Sequence, residues 1–218
     1  MAMQQRAMRT RRLILDSAAL MIERNGYTAT SIGGISTAAG TTKGAVYFHF
    51  PSKRDIAAAL LDEANASLRA IVARACSPGA SPLQSLIDTT HLVVHQYNRD
   101  PVTRACIQLC TESPSPAPQT RAYERTWASS VRLLLESASA RKEFREGVSI
   151  RAVAALVMSA GIGAELLAGR EEKKLSPQMT TAMWRAVLPG LAAPEHAATL
   201  LPEGSPGIRS GHPVPRRP

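Results

Sequence analysis

Apolar residues recur at helical spacing along nearly the whole chain. Ile14, Ala18, Met21 and Ile22 give one apolar face to a helix expected from about Thr10 to Asn25, and Gly26 follows where helices tend to stop. Ser31 then caps a short helix through Ile32, Ile35 and Ala39, ended by Gly40; Thr42 caps a second, Lys43 to His49. Pro51 breaks the chain. Ser52 caps a long helix whose apolar positions, Ile56, Leu60, Ala64, Leu68 and Ile71, are spaced by four and three. Pro82 and Pro101 open helices near 82–98 and 101–112, since proline is tolerated in a first helical turn. The run from Thr111 to Gln119 holds Pro114, Pro116 and Pro118 and reads as a loop before a helix near 119–140. Ser149 caps an apolar helix (Ile150, Val153, Val157, Met158, Ile162, Leu166), and Ser176 with Pro177 opens another carrying Met179, Met183, Trp184, Val187, Leu188 and Leu191. A short helix closes the set near 194–201. From Pro202 to Pro218, eight of 17 residues are Pro or Gly, which predicts a disordered tail. There is no repeat and no expected strand.

Composition supports an all-α fold: 44% of the 218 residues are hydrophobic but only 4% aromatic, with Ala and Leu dominant. No stretch approaches the ~20 apolar residues of a membrane span, and the basic N-terminus precedes no signal-peptide block. Three cysteines, Cys76, Cys106 and Cys110, make no disulfide framework. A cytoplasmic protein without a membrane partner is expected. Of the net charge of +9, residues 1–60 hold an excess of five, eight cations against three anions. Such a segment suits a polyanion, and nucleic acid is the common one in this compartment, although charge alone fits a solvated basic surface equally well.

Two short helices joined at a glycine, within 31–50, have the layout of a helix-turn-helix whose second helix enters the major groove. Its polar residues are Thr42, Lys43, Tyr47 and His49; Val46, Phe48 and Phe50 are expected to hold it to the first and fourth helices. Lys43, at the helix start, can reach guanine O6 and N7. Gly44 lets the backbone approach DNA, while Thr42, Tyr47, His49 and Lys53 suit phosphate oxygens.

At this point the sequence resembles a known family. Thr42-Lys43-Gly44-Ala45-Val46-Tyr47-Phe48-His49-Phe50-Pro51-Ser52-Lys53, with Gly26-Tyr27 and the approach helix, is similar to the signature of the TetR family of bacterial repressors. Phe48-His49-Phe50, Asp100-Pro101-Val102-Thr103-Arg104-Ala105, Trp127 and Met183-Trp184 resemble its γ-butyrolactone receptor branch, autoregulator receptors of filamentous antibiotic-producing bacteria. The resemblance implies a dimeric repressor of secondary-metabolism genes that leaves its promoter when a small hydrophobic signal binds the C-terminal domain. Two departures stand out. Ser31 is followed by Gly33-Gly34 rather than a capping acid, which should loosen the first motif helix. The branch's Arg-Ala-(small)-x-Arg-Leu is here Arg104-Ala105-Cys106-Ile107-Gln108-Leu109, followed by Cys110, so the pocket is expected to differ. With a sequence pI near 10.1, the chain also leans toward the strongly basic pseudo-receptors that answer to antibiotics.

The expected organisation is a three-helix DNA-binding domain at 1–51, a larger helical ligand-binding and dimerisation domain at 52–201, and the tail at 202–218. Ligand-lining candidates are Leu83, Ile87, Thr90, Cys106, Leu109, Cys110, Ser130 and Val131, with Gln108 as a further polar group. Trp127 reads as either a pocket wall or a core filler from composition, and the resemblance favours the wall. The apolar helices 150–168 and 177–191 suit a two-fold four-helix interface, hence a homodimer on a near-palindromic double-stranded operator, with one or two dimers per operator left open. A rival is a metal-responsive repressor using His91 and His95 with Cys106 and Cys110, both pairs spaced i, i+4. An enzyme is not expected: no nucleophile elbow, phosphate loop or His-Glu-x-x-His is present, and no cofactor is implied.

Overall fold

A computed structural model describes residues 2–76, 79–112, 118–171 and 175–209; the side chains of 2, 165–171 and 209 lie outside the description. Among the described residues it holds eleven helices and no strand, with one isolated antiparallel bridge between Phe144 and Ala192. The helices are α1 (Ala2–Ala29), α2 (Ile32–Ala38), α3 (Lys43–His49), α4 (Lys53–Ala75), α5 (Pro82–Arg99), α6 (Pro101–Glu112), α7 (Pro118–Ala140), α8 (Ile150–Glu171), α9 (Pro177–Leu191), α10 (Pro194–Ala197) and α11 (Pro206–Arg209). Six of them open on proline, whose fixed φ suits the first turn and whose missing N–H is not needed there. No described helix is long and apolar enough to cross a membrane.

Two compact units emerge, Met1–Ala66 with Asp100–Glu124 and Ser67–Arg99 with Arg125–Pro218. In the first, Ile14, Ala18 and Ile22 of α1 are buried together with Ile35 of α2, Val46 and Phe50 around α3, and Ile56, Leu60 and Ala64 of α4. Helix α6 joins them through Val102, Ala105, Cys106 and Leu109. Each large aliphatic side chain fully removed from water contributes about 1.5–3 kcal/mol, so α6 is an integral part of this core.

The second unit buries Leu83, Leu86 and Ile87 of α5 against Val131 and Leu135 of α7, Val153 and Val157 of α8, and Trp184 and Leu188 of α9. Trp184 is fully buried, and its Nε1–H donates to Thr90 Oγ1 at 2.9 Å. The carboxylate of Glu143, 2% exposed, accepts from Ser81 Oγ at 2.7 Å and Leu83 N at 2.9 Å. It closes the N-terminus of α5, where the helix dipole favours a negative charge.

Three expectations change. Helix α1 begins at Ala2 rather than near Thr10, and Gly26 (φ 81°, ψ 165°) breaks it before one further turn. Of the run expected to be a loop, Thr111 and Glu112 belong to α6 and Pro118 and Gln119 to α7, with 113–117 outside the description. The tail is ordered from Pro202 through α11, while 210–218 lie outside the description. Its backbone is held by three polar side chains on one stripe of α5. Gln84 accepts from Leu201 N at 2.7 Å, Asp88 from Ser205 N at 2.8 Å, and His91 Nε2 meets Pro202 O at 2.8 Å. Proline and glycine suppress helix and strand but leave carbonyls, and the amides of the non-proline residues, free for such bonds. Asp88→Ala should release this segment, costing about 1–3 kcal/mol through the amide left unpaired. Urea unfolding and faster proteolysis within 200–209 would register the loss.

Candidate nucleic-acid interface

The motif is built by side-chain caps. Ser31 Oγ accepts from Gly34 N and Thr42 Oγ1 from Ala45 N, both at 3.1 Å, closing the N-termini of α2 and α3. Between the helices Gly40 takes φ +61°, a left-handed conformation that side chains disfavour. Val46 and Phe50 are buried, and they hold α3 to the core. Thr42, Lys43, Gly44 and Tyr47 are exposed and His49 half-buried, so these sequence-chosen residues lie together on the outer side of α3. The two glycines that should loosen α2 also pack closely. A Cβ on Gly33 would stand 3.0 Å from Lys43 Cε, and one on Gly34 2.7 Å from Met21 Cε.

Phe48 differs from expectation. It is 81% exposed instead of packed between helices, its ring roughly perpendicular to that of His49 with centroids 5.2 Å apart. With Val46 and Phe50 turned inward, helical geometry sends position 48 outward. Its apolar character suggested burial, but a helix separates residues two apart by about 200°. A large exposed aromatic on the reading helix is informative, because its ring can meet a thymine methyl.

Lys53 also departs from its expected phosphate role. Its ammonium donates to Tyr27 O at 3.0 Å, Thr30 O at 2.9 Å and Thr28 O at 3.4 Å, and lies 4.3 Å over the Tyr27 ring. It therefore caps the carbonyl end of α1. In the preceding peptide group, Tyr27 N donates to Glu112 Oε2 at 2.7 Å, from the last residue of α6. A Cβ on Gly26 would come within 2.5 Å of that carboxylate, so both the φ of +81° and the close approach require glycine. Arg104 of α6 meets Glu23 of α1 at 2.9 Å with both side chains largely buried. Arg12 bridges Asp16 and Glu63, each at 2.7 Å. Burial opposes the charge on Arg12, yet its hydrogen bonds to Glu63 and Asp16 prevail and raise its pKa above the ordinary value.

The ligand-lining candidates separate into two clusters. Cys106, Leu109 and Cys110 pack in the first unit's core, and Gln108 bonds Glu112. Leu83, Ile87 and Val131 are buried in the second unit's core, with Trp127 half-buried against it. Thr90 is occupied: it accepts from Trp184 and donates to Ile87 O at 2.7 Å. Ser130 donates to Thr126 O at 2.7 Å. For the metal alternative, no group of three or more His, Cys, Asp or Glu side chains placed to hold an ion is found among the described residues. His91 is instead committed to Pro202, and Cys106 to the core. Cys76, apart from these, is exposed, and partial burial pushes its thiol pKa up.

Residues 14–60, which contain all of this motif, match the model of the bacterial regulatory proteins of the tetR family. Over 208 residues the chain is 31% identical to the A-factor receptor protein of Streptomyces griseus, covering 94% of this chain and 71% of that relative. The chain belongs to the TetR family. Among solved structures, this TetR-family chain is similar to CprB from S. coelicolor, a TetR family protein (27% identity, 89% of this chain and 94% of that one, TM-score 0.79). It is also similar to a gamma-butyrolactone receptor described as ArpA-like (26%, 88% and 93%, TM-score 0.73), and to TylP, a tetR regulator from Streptomyces fradiae (32%, 90% and 93%, TM-score 0.71). It is thus a transcriptional regulator related to γ-butyrolactone receptors.

Lys53→Met keeps the stem and removes the ammonium. It should cost about 1.5–3 kcal/mol of folding stability, the level of hydrogen bonds to charged groups, toward the lower end because the site is partly solvated. Urea unfolding checks this. Unchanged stability with a DNA-binding salt slope shallower by about one would return Lys53 to a phosphate.

Proposed function

We propose that this chain is a ligand-responsive repressor that binds a palindromic double-stranded operator as a homodimer and is released by a small hydrophobic effector. The observation that carries the reading is the outer side of α3, where Thr42, Lys43, Gly44, Tyr47 and Phe48 are exposed together above the buried Val46. Lys43 would read guanine and Phe48 a thymine methyl, while Thr42, Tyr47 and His49 would hold phosphates. Support comes also from CprB, described in complex with its biological operator sequence and 27% identical over 89% of this chain. The DNA-binding domain is 1–51, and 52–201 serve effector binding and dimerisation.

Regulators of this family act as dimers. For this chain the apolar exposure of Leu156, Ile162 and Met179 supports an interface on α8 and α9. That interface is narrower than the sequence suggested, because Trp184 and Leu188 face the intrachain core. The effector is a γ-butyrolactone, butenolide or furan signal, or an antibiotic, and the genes controlled belong to secondary metabolism, in the cytoplasm where DNA lies. Trp127 is its wall, beside Leu83, Ile87, Thr90, Ser130 and Val131; Thr90 and Ser130 would exchange an internal hydrogen bond for one to the ligand. Helix α4 belongs partly to each compact unit, so a shift along it is the proposed route to the DNA-binding helices. Release requires that the effector bind the DNA-free conformation more tightly.

A mobility-shift titration on the chain's own promoter region, repeated with lactone-type and antibiotic-type compounds, tests this reading. Lys43→Ala should weaken operator binding by about 1–3 kcal/mol and relax selectivity at one base pair. Equal affinity for all duplexes would sink the reading. Trp127→Ala should leave DNA binding intact and abolish release by the effector. Loss of folding in that variant, seen by circular dichroism, would make Trp127 a core residue.

A further inference from the structure

The family match begins at residue 14, but α1 begins at Ala2, so three turns of helix precede the matched region. These residues include Arg6, Arg9, Arg11 and Arg12 and no acid. They are not packed: Met3 is 86% exposed, Met8 54% and Leu13 47%. Arg12 is bound to Asp16 and Glu63. Arg6, Arg9 and Arg11 are exposed and pair with no acid among the described residues.

Such an arrangement works against the helix. Cations sit at the positive end of its dipole, and Arg6 and Arg9 are like charges at i, i+3. An anion bound there would offset both penalties. Its kind follows from position. The Arg11 guanidinium stands 4.9 Å from the ring of Phe50, the residue that closes α3. The N-terminal part of α1 therefore leaves the core beside the end of the reading helix. At about 1.5 Å per residue, Arg9 and Arg6 lie some 3 and 7.5 Å further along the axis, a spacing on the scale of successive phosphates on one strand. At 100° per residue Arg6 and Arg9 share one side, whereas Met3, Met8 and Leu13 diverge to three. The segment thus has a cationic face but no apolar face for a lipid surface.

We propose that residues 2–12 form a second DNA-binding element, in which Arg6 and Arg9 neutralise backbone phosphates flanking the bases read by α3, while Arg11, on another side of the helix, lies against Phe50. The proposal rests on the repressor reading and extends its footprint beyond the helix-turn-helix. The contact is with phosphate alone, so it adds affinity and salt dependence without adding base preference.

The test compares the full-length protein with Arg6→Gln/Arg9→Gln on the promoter operator, using a duplex with long flanks and one trimmed to the palindrome. Both positions are exposed, so the variant keeps its fold, which circular dichroism verifies. On the long duplex its log K against log salt should be shallower by roughly two for each bound protomer, with affinity down about tenfold or more at low salt. On the trimmed duplex the two proteins should converge, and discrimination against a mutated palindrome should be unchanged. An unaltered slope and affinity on the long duplex would overturn the arm while leaving the repressor reading in place. A parent protein that binds no operator would overturn both.

Discussion

The segment from Gly26 to Thr30 is gripped from both sides by charge. The Lys53 ammonium takes the carbonyls of Tyr27, Thr28 and Thr30, and the Glu112 carboxylate takes the amide of Tyr27. Two consecutive peptide groups that flank Tyr27 thus meet opposite charges, the N–H of one an anion from the end of α6 and the C=O of the next a cation from the start of α4, each through a charge-assisted hydrogen bond. This contact sets where α1 ends, how the chain turns into the Ser31 cap of α2, and hence where α3 can present its outer side. Gly26 is required because only a left-handed residue without a Cβ can pass under the carboxylate. Removing either charge would take a charged partner from backbone groups at the end of α1, although Tyr27 O would keep its bond from Thr30 N.

The same grip changes what the positive charge of the first 60 residues means. Lys53 is consumed by carbonyls, Arg12 by Asp16 and Glu63, and Arg11 lies against Phe50. The exposed cations left for a polyanion are Lys43 on α3, the arginines at the start of α1, and Arg24 and Arg54. A charge excess is therefore a guide to the partner's sign and not a list of contacts. The arginine that stacks on Phe50 links the first two of these groups, because it brings the N-terminal turns of α1 to the end of α3.

The second unit relies on buried polar groups that are each satisfied locally. Glu143 closes the start of α5, Trp184 finds Thr90, and Gln84, Asp88 and His91 hold the chain after Leu200. A buried polar atom without a partner is costly, so these bonds fix which face of α5 turns outward and which meets α9. They also leave Thr90 and Ser130 each with an internal partner. The relationship to γ-butyrolactone receptors fixes the type of regulator.

From the sequence alone one could read the all-helical class, the caps at Ser31, Thr42 and Ser176, the proline starts and the family of the motif. Those properties are local: an N-cap hydroxyl, a ring that fixes φ, or an apolar repeat acts within one or two turns of its own helix. Phe48 was misplaced because its apolar character suggested burial, while the orientation of α3 is set by Val46 and Phe50 against α1 and α4. Lys53 was assigned to phosphate because a basic side chain at a helix start has the same sequence signal whether it meets DNA or a carbonyl. The pairing of Glu112 with Tyr27 spans 85 residues, and that of Asp88 with Ser205 spans 117. No periodicity encodes such contacts; they exist only once packing has brought α6 to α1 and the final turn to α5. The sequence determined which helices form and what they could recognise, and tertiary packing decided which charges remained free to do so.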